Sequence, residues 1–558
     1  MGWPSENARR AGGLPAGGGL SGAVDRQTSK DILALLRRLA RTFTKAGVDD
    51  VRRLELCKSL LNPFYKDTPL DRLAAVLRRK TIDERHYWIG TFYTLLLPEK
   101  QRRKQAAYFT PPQLSRAVVG LLKDNGFAPL KHSVLDPAAG GAAFLSTIAA
   151  EMSKAGATPE SILKRIHGIE IDAGLGRLSE ALISARLDRQ IRARSIVSTA
   201  DALTTRHPEK YDLVIANPPF GRLIEGEQDD TRWRDVCHAG HVNKYALFTK
   251  LCFQRAKPGG LVALVLPSSF IAGPLYNKLR TFIRTRGEVI LLGSVTDRED
   301  VFVDVDQDIS VLVAKIGKPH RAASPIAIGR FTPGKGYSAI AARPLPEIIG
   351  APWNVPLAKS SFPVGGCTLA DYGVTVKSGY FVWNREQERM EKRRKRKTDM
   401  PLIWARNVRE RKLCIPAARK RDGIDFVQCN AKNPAVVRVP AIVMQRTTNS
   451  SQPRRLIAAR VAPRVYDTWG GFVSENHTIV ITTDKPALLD RICKLLNSTA
   501  VDRRYRQLSG TASVSVTLLR ELDLPSPAAL EQALADGYPF EQAVDVAYQT
   551  SESTAAVA

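Results

Sequence analysis

The feature that most constrains the fold is a regular alternation of short β-rich runs and helical patterns between about residues 131 and 318. Seven runs predict strands, at residues 132–136, 166–172, 195–201, 211–216, 261–267, 289–295 and 309–316. Helical stretches lie between them, and one of these, at 243–256, is followed by Pro258-Gly259-Gly260 as a stop signal. The alternation predicts an α/β fold with an open, largely parallel sheet and helices on both faces.

Different patterns flank this segment. Residues 1–25 are rich in Gly and Ala and predict a disordered leader, whereas apolar residues recur at helical spacing over 26–100. We expect a catalytic domain over 101–330 and a second, mixed α+β domain over 345–525, where β-like runs mix with turns and many arginines. Residues 526–558 predict a C-terminal helix, at 528–548, and a loose tail.

The charge balance predicts a polyanionic partner. The 558 residues include 83 Lys and Arg against 55 Asp and Glu, a net charge of +28. Nucleic acid or an anionic membrane surface fits this charge, and a basic protein with no such partner is the alternative. No apolar run approaches the ~18 residues of a membrane-spanning helix, and no secretory signal is readable, so we expect a cytoplasmic protein. The seven cysteines form no C-x-x-C pair, and neither a metal site nor a disulfide framework is predicted.

Three acidic residues follow successive predicted strands and suggest a cofactor pocket. Asp136 is followed by a tight turn of small residues, Pro137-Ala138-Ala139-Gly140-Gly141, that would let an adenosyl or nucleotide ligand approach the backbone. Glu170 could accept hydrogen bonds from ribose hydroxyls, and Asp201 could accept one from an adenine amino group. One such acid alone is an ordinary solvated strand end, but three at the carboxyl ends of neighbouring strands favour a pocket.

The fourth predicted strand delivers Asn217-Pro218-Pro219-Phe220 at its carboxyl end, where ligands bind open sheets. The prolines fix φ and remove backbone donors, which leaves the Asn217 amide oxygen and the Pro218 carbonyl as acceptors. Two acceptors suit an exocyclic amine, because holding its hydrogens keeps electron density on the nitrogen during attack on an electrophile. Phe220 offers a stacking face for a base taken out of its duplex.

These motifs together resemble the S-adenosylmethionine-dependent N6-adenine DNA methyltransferases, in the motif order of the gamma group of restriction–modification systems. The residues that carry the resemblance are Tyr108–Pro112, Asp136–Gly140, Gly168–Glu170, Ala200–Asp201, Asn217–Phe220, Asn243–Phe248 and Leu266–Phe270. A weaker resemblance, at 376–384, 475–477 and 522–525, is to a C-terminal specificity domain. The family implies a Rossmann-like methyltransferase sheet with a helical N-terminal region and a mixed α+β C-terminal DNA-recognition domain.

The resemblance also implies roles for individual residues. Residues at the methionine end of S-adenosylmethionine would be Thr110, Asp136, Pro137, Ala138 and Gly140. Glu170 would hold the ribose, Ile171 would pack on the adenine ring, and Asp201 with its neighbour Ala202 would bind the adenine amino group. Asn217, Pro218, Pro219 and Phe220 would hold the target adenine, and Phe302 would cover it from the other side. Where this chain has Ala142, family members often have a second glycine.

Arginine, amide and hydroxyl side chains in the C-terminal domain are the types that contact phosphates and base edges in DNA. The residues predicted to contact duplex DNA are Lys392, Arg406, Arg446, Arg454, Arg455 and His477. Lys392 begins a run of six cations, for which a solvated flexible loop is an equal alternative. The sequence does not decide which of these residues contact bases, and so the recognised site stays open.

Other activities are weighed against the same motifs. Cytosine C5 methylation needs a thiolate, usually in a Pro-Cys pair, and no cysteine of the chain follows a proline. Cytosine N4 enzymes favour Ser or Asp where this chain has Asn217, and RNA or protein glutamine methyltransferases are usually smaller and lack a basic C-terminal domain. A DNA-binding protein that has lost cofactor binding also stays open because of Ala142. We find no D…E-x-K nuclease pattern in the N-terminal region, so cleavage would require a separate restriction endonuclease as partner.

Overall fold

The computed structural model describes most of the chain and divides it into two compact units. The described residues are 18–62, 69–98, 101–102, 109–188, 196–205, 209–223, 231–239, 241–295, 309–332, 335–353, 366–383, 386–414, 426–429, 433–447, 452, 454–508, 513–520 and 522–555. The first unit comprises Met1–Val119, Ala128–Arg206 and Asp297–Asp304, and the second comprises Gly120–Phe127, His207–Thr296 and Val305–Ala558.

The first unit begins with four helices that pack as one layer. They are α1 (Gly18–Lys45), α2 (Asp50–Ser59), α3 (Asp71–Arg78) and α4 (Ile82–Leu95). Helix α4 begins at a capping box in which Thr81 and Glu84 satisfy each other's backbone N–H groups. Helix α1 begins at Gly18 and so includes the last residues of the predicted disordered leader. That prediction rests on Gly and Ala content, but the segment from Leu20 onward can continue a helix.

The rest of the first unit is a parallel sheet with helices between its strands. The elements are α5 (Pro112–Asp124), β1 (Val134–Asp136), α6 (Ala143–Lys154), α7 (Pro159–Arg165), β2 (Ile166–Glu170), α8 (Ala173–Leu187) and β3 (Val197–Thr199). Strand β2 lies between β1 and β3 and pairs in parallel with both. Leu175, Leu178 and Leu182 of α8 are buried in the same core as the N-terminal helices. The N-terminal helices are therefore part of the unit that contains the first three strands.

The second unit contains six strands of a mixed sheet in the order β4-β5-β7-β6-β8-β9. The elements are β4 (Tyr211–Ala216), α9 (Lys244–Arg255), β5 (Ala256–Pro267), α10 (Ser269–Ala272), α11 (Asn277–Arg286), β6 (Gly287–Val295), β7 (Ile309–Ile316), β8 (Pro325–Thr332) and β9 (Gly336–Pro344). The predicted parallel pairing is present between β4 and β5 and between β6 and β8, but the sheet also contains antiparallel strands that the sequence did not indicate. Strand β7 inserts between β5 and β6 and runs antiparallel to both, and β9 runs antiparallel to β8.

One boundary of this sheet differs from the sequence prediction. The helix predicted at 243–256 is found as α9, which ends at Arg255, and Pro258, Gly259 and Gly260 follow it within the range of β5, where the pairing with β4 is interrupted between Ala256 and Leu261. Strand β9 extends the sheet to Pro344, past the expected domain end at 330. This edge strand lacks a buried apolar run, which is the signal by which the other strands were recognised.

The remaining strands of the second unit form two further sheets and a hairpin. The strands are β10 (Val374–Ser378), β11 (Met390–Glu391), β12 (Met400–Ile403), β13 (Val408–Arg409), β14 (Lys412–Leu413), β15 (Phe426–Val427), β16 (Val436–Val437), β17 (Ala441–Gln445), β18 (Ala458–Arg460), β19 (Phe472–Ser474) and β20 (Thr478–Thr483). One sheet has the order β10-β20-β17-β18, the other has the order β11-β15-β12-β19-β16, and β13 pairs with β14.

Six helices complete the second unit: α12 (Pro463–Trp469), α13 (Leu489–Leu496), α14 (Thr499–Leu508), α15 (Val516–Arg520), α16 (Pro527–Ala535) and α17 (Phe540–Ala555). The single C-terminal helix predicted at 528–548 is wrong. The chain turns between α16 and α17, where Gly537 has φ +87° and Pro539 follows. Both helices bury side chains in the core of sheet β10-β20-β17-β18, among them Leu530 and Tyr548.

Within the described residues, no helix has the length and apolar character needed to cross a membrane. The same residues contain no group of three or more His, Cys, Asp or Glu side chains that could hold a metal ion.

Candidate functional site

The turn after β1 is built so that its backbone bends twice before α6 begins. Asp136, at the end of β1, accepts a hydrogen bond from the Ala138 backbone N–H at 3.0 Å. Gly140 and Ala142 both adopt left-handed backbone conformations, with φ +51° and +56°. Glycine takes this conformation without cost, but an alanine pays about 1 kcal/mol for it. Ala142 is fully buried, and helix α6 starts at the next residue.

Glu170 links this turn to the end of β2. Its carboxylate accepts hydrogen bonds from the backbone N–H groups of Gly140, at 2.9 Å, and Asp172, at 3.0 Å. Burial raises the pKa of Glu170, and burial raises the pKa of Asp136 to about 8, with a smaller contribution from the nearby Glu170 charge. Asp136 and Glu170 therefore lie beside the turn after β1, where their carboxyl oxygens can accept hydrogen bonds from the hydroxyl or amino groups of a ligand.

The residues that follow β2 and β3 present one apolar and one acidic group. Ile171 is 59% exposed, although it follows a buried strand, and so it offers an uncovered apolar face. Asp201 accepts a hydrogen bond from the Leu203 N–H through Oδ1 at 2.9 Å, and Ala202 is buried. Because β1, β2 and β3 are parallel neighbours, their carboxyl ends lie at one edge of the sheet, and this edge carries Asp136, Glu170 and Asp201.

Thr110 is buried and lines a small cleft beside the same turn. The cleft is also lined by His86 of α4, Ser146 of α6, Gly141 and Phe109. Burial lowers the pKa of His86 to about 4, so its imidazole is neutral at physiological pH. His86 and the contact between Phe109 and Gly141 are not predictable from the sequence, because no local pattern indicates that these three residues lie around one cleft.

A second contact joins the N-terminal helices to the segment after β2, and no sequence pattern predicts it. The Tyr93 hydroxyl of α4 donates a hydrogen bond to Asp172 Oδ1 at 2.7 Å. Asp172 is the N-cap of α8 and accepts the Leu175 N–H at 2.8 Å. The residue that follows Ile171 is thus fixed from both sides.

Asn217, Pro218, Pro219 and Phe220 follow β4 directly, in the second unit. Pro218 is buried, and the other three are half-buried. The chain beyond them is tied to the start of α9, since the Lys244 N–H donates to the Gly221 carbonyl at 2.9 Å and Leu223 N–H donates to Val242 at 3.0 Å. The motifs at 217–220 and 243–248, which are separate in sequence, are therefore adjacent here. Phe302 lies outside the described residues.

Five of the six predicted DNA-contacting residues fall into two groups in the second unit. Arg406 stacks on Trp404, Arg446 donates to the Asn476 carbonyl at 3.1 Å, and His477 Nδ1 lies 3.0 Å from Thr447 Oγ1, so these three belong to one region. Arg454 is held elsewhere, by Glu410 at 3.2 Å and the Asn497 carbonyl. The backbone N–H of its neighbour Arg455 donates to Asp502 at 2.8 Å.

Lys392 is exposed at the start of the cationic run 392–397. The backbone N–H groups of Lys395 and Arg396 both donate to Asp399, at 3.0 and 2.8 Å, and Asp399 is fully buried. The run is therefore an ordered turn around a buried carboxylate that presents cations to solvent.

Comparison with known proteins gives a consistent result. Residues 85–293 match the family model described as N-6 DNA Methylase. The chain is 24% identical over 376 residues to the Type II methyltransferase M.PstI of Providencia stuartii, covering 62% of this chain and 71% of the relative. It is 22% identical over 457 residues to the Type II methyltransferase M.BsuBI of Bacillus subtilis, covering 76% of this chain and 89% of the relative.

Among solved structures, a class I S-adenosylmethionine-dependent methyltransferase from Listeria monocytogenes aligns with a TM-score of 0.39 and 16% identity. That alignment covers 55% of this chain and 93% of the other. The family match spans the edge with Asp136 and Glu170 as well as the Asn217–Phe220 segment. The chain is thus an adenine-specific DNA methyltransferase of the restriction–modification type, with S-adenosylmethionine as its methyl donor, and its residues 85–293 are similar to the N-6 DNA methylase family.

Proposed function

We propose that Asn217, Pro218, Pro219 and Phe220 hold the target adenine during methyl transfer. The observation that carries this proposal is the position of the segment at the carboxyl end of β4, with Pro218 buried and the Asn217 and Phe220 side chains half-buried. The Asn217 amide oxygen and the Pro218 carbonyl accept the two N6 hydrogens, and Phe220 stacks on the extruded base. Holding both hydrogens reduces conjugation of the nitrogen lone pair with the ring, so N6 becomes a better nucleophile.

The first unit holds the cofactor in this proposal. S-adenosylmethionine supplies an electrophilic methyl group on a positively charged sulfur. Glu170 accepts from the ribose hydroxyls, Ile171 packs on the adenine ring, and Asp201 accepts from the adenine amino group. The 59% exposure of Ile171 supports this assignment, since an apolar side chain at a strand end gains free energy when a flat ring covers it. The rest of S-adenosylmethionine is surrounded by Thr110, Pro137, Ala138, Gly140 and Ala202.

The domain roles follow from the charge and the contacts. The segment from 345 to 525 recognises the DNA sequence, and Lys392, Arg406, Arg446, Arg454, Arg455 and His477 provide contacts to the duplex. The modified site is the one that a separate cognate restriction endonuclease would cleave, and the enzyme acts in the cytoplasm, where bacterial genomic DNA lies.

Transfer of tritiated methyl groups from S-adenosylmethionine to DNA tests the catalytic assignment. Asn217→Ala should lower incorporation by at least about 1000-fold, because it removes one of two acceptors that act only on the reacting amine. Cofactor affinity, measured by calorimetry, should stay within about 2-fold. Gln532→Ala, which removes an exposed amide on α16, is the matched control and should keep full activity. Equal incorporation by wild type and Asn217→Ala would refute the role of Asn217.

Acceptor specificity separates this function from its alternatives. Duplex DNA, RNA and protein acceptors are offered side by side, and the methylated DNA is digested to nucleosides for mass analysis. N6-methyladenine should be the product. N4-methylcytosine, or methyl transfer to RNA or protein only, would contradict the adenine assignment.

A further inference from the structure

Four chain segments that are far apart in sequence meet at one edge of the second unit. The Ser474 carbonyl accepts from the Phe381 N–H at 3.0 Å, and the Phe381 carbonyl accepts from the Asn476 N–H at 2.9 Å. The Glu475 N–H donates to the Ile403 carbonyl at 3.0 Å. The turn between β19 and β20 is thus bonded to the segments around 381 and 403, and the fourth segment, at 446–447, joins it through the contacts of Arg446 and Thr447 described above.

We call the side chains at this edge the strand-end cluster. It consists of Trp383, Trp404, Arg406, Arg446, Thr447, Glu475, Asn476 and His477. The rings of Trp383 and Trp404 lie 6.5 Å apart, and the Arg406 guanidinium lies 4.9 Å from the Trp404 ring centre. Trp383 is 39% exposed, which is unusual for so large an apolar side chain.

The polar groups of the cluster are fixed from beneath, and two buried acceptors need a donor. Glu475 is almost completely buried, and its Oε2 accepts the His477 backbone N–H at 2.9 Å, so the carboxylate holds the turn. The other Glu475 oxygen, Oε1, and the Asn476 side-chain oxygen have no hydrogen-bond donor among the described residues. A buried acceptor without a donor costs about 1–3 kcal/mol, and a ligand that supplies an N–H group recovers this free energy.

We propose that the strand-end cluster is the surface through which the second unit recognises the base sequence of its target duplex. The inference rests on the proposed function of the C-terminal segment and adds to it which residues contact base edges. Arg406 offers the paired donors that match guanine O6 and N7, and Asn476 offers the donor and acceptor that match adenine N6 and N7. Trp383 offers an apolar face for a thymine methyl group or a sugar.

DNA is the occupant that the charge favours. Arg406 and Arg446 are the cations of the edge, and the one acidic residue of the cluster, Glu475, is buried. An exposed aromatic and cationic surface over a buried acid attracts a polyanion. DNA base edges also carry amino groups at fixed positions that can donate to the Asn476 oxygen, whereas the carboxylates of an acidic protein surface cannot donate.

The experiment measures sequence discrimination separately from affinity. Wild-type enzyme first methylates genomic DNA, long-read sequencing gives its motif, and duplex oligonucleotides with that motif or with single mismatches then serve as substrates. We expect Arg406→Ala and Asn476→Ala to lower the ratio of kcat/KM for the matched over the mismatched duplex by about 10-fold or more at one base position each. Lys485→Ala removes an exposed cation at the other end of β20 and should leave the ratio within about 2-fold.

Arg406→Lys distinguishes base contact from phosphate contact. Lysine keeps the charge but loses the planar pair of donors, so a base contact is lost while a phosphate contact survives. The proposal therefore expects Arg406→Lys to discriminate as poorly as Arg406→Ala. Thermal unfolding of each variant checks that the second unit, which carries the substitutions, is folded.

Different results would overturn the strand-end cluster as recognition surface and the proposed methyltransferase function. Unchanged discrimination in both Arg406→Ala and Asn476→Ala would overturn the strand-end cluster as the recognition surface, even if overall affinity falls. Full discrimination by Arg406→Lys would overturn base contact by Arg406. A wild-type enzyme that methylates no DNA would overturn the proposed function, and this inference with it.

Discussion

The turn after β1 and the strand-end cluster differ in how the chain builds them. The turn is one contiguous segment, and its polar groups bond to residues within two neighbouring strand ends, as in the Asp136–Ala138 and Glu170–Gly140 hydrogen bonds. The cluster is assembled from four segments that span about 100 residues, from Trp383 to His477. In the proposed function the first arrangement holds one small ligand, and in the proposed recognition surface the second allows side chains to vary independently, as different DNA sequences require.

This comparison predicts that salt weakens DNA binding much more than cofactor binding. Raising the salt concentration from about 50 to about 200 mM should weaken DNA binding by about 100-fold or more, because phosphate contacts by Lys and Arg release counterions. Affinity for S-adenosylmethionine should change by less than about 2-fold, since its site is formed by backbone groups, carboxyls and apolar residues. Fluorescence anisotropy with duplex DNA and calorimetry with the cofactor measure the two. Equal salt dependence would show that the regions do not differ in this way.

Gly141→Ala should damage the turn strongly. A Cβ at this position would overlap the Phe109 ring, and the ring cannot move away freely because it also lies against Gly90. We expect a loss of about 1–3 kcal/mol in the free energy of unfolding and at least about 10-fold weaker cofactor binding. Chemical denaturation and calorimetry measure both effects. Gly120→Ala, whose Cβ would meet no atom within 4 Å, is the control and should have neither effect.

Much of the turn could be predicted from the sequence, and little of the cluster could. Asp136, Glu170 and Asp201 were recognisable because parallel strands bring their carboxyl ends to one edge, and the Asn217–Phe220 segment was recognisable because its chemistry is contained in four residues. Trp383 and Asn476 lie in segments that resemble a specificity domain, but no pattern predicts that they meet, since their proximity depends on pairing between distant strands. The insertion of β7 between β5 and β6 is likewise a long-range pairing, and no local pattern specifies its direction.

The pKa of Asp136 predicts a pH dependence of stability in the cofactor-free protein. Burial raises this pKa from 3.8 to about 8, so the folded state prefers the protonated carboxyl. The stabilising contribution is fully present below pH 4 and is lost as the pH rises towards 8. Between pH 5 and 8.5 the wild type should therefore lose several degrees of Tm more than Asp136→Asn, which cannot ionise. Parallel Tm curves for the two proteins would contradict the buried, protonated state of Asp136.

Ala142→Gly should have the smallest effect and a stabilising sign. Glycine removes the cost of a left-handed alanine, about 1 kcal/mol, but loses part of this gain to the entropy of the unfolded chain. We expect a net gain below about 1 kcal/mol in urea denaturation, with unchanged cofactor binding. Ala150→Gly, in the interior of helix α6, should instead destabilise by about 0.5–1 kcal/mol. The same sign for both variants would contradict the strained conformation of Ala142.

The most direct test of the account is long-read sequencing of DNA from cells that express the chain or its Asn217→Ala variant. The account predicts N6-methyladenine at one defined sequence motif with the wild type and at none with the variant. Modified adenines without a common motif would contradict sequence-specific recognition by the second unit. The same motif methylated by both proteins would contradict the central claim that the Asn217–Phe220 segment carries out the chemistry.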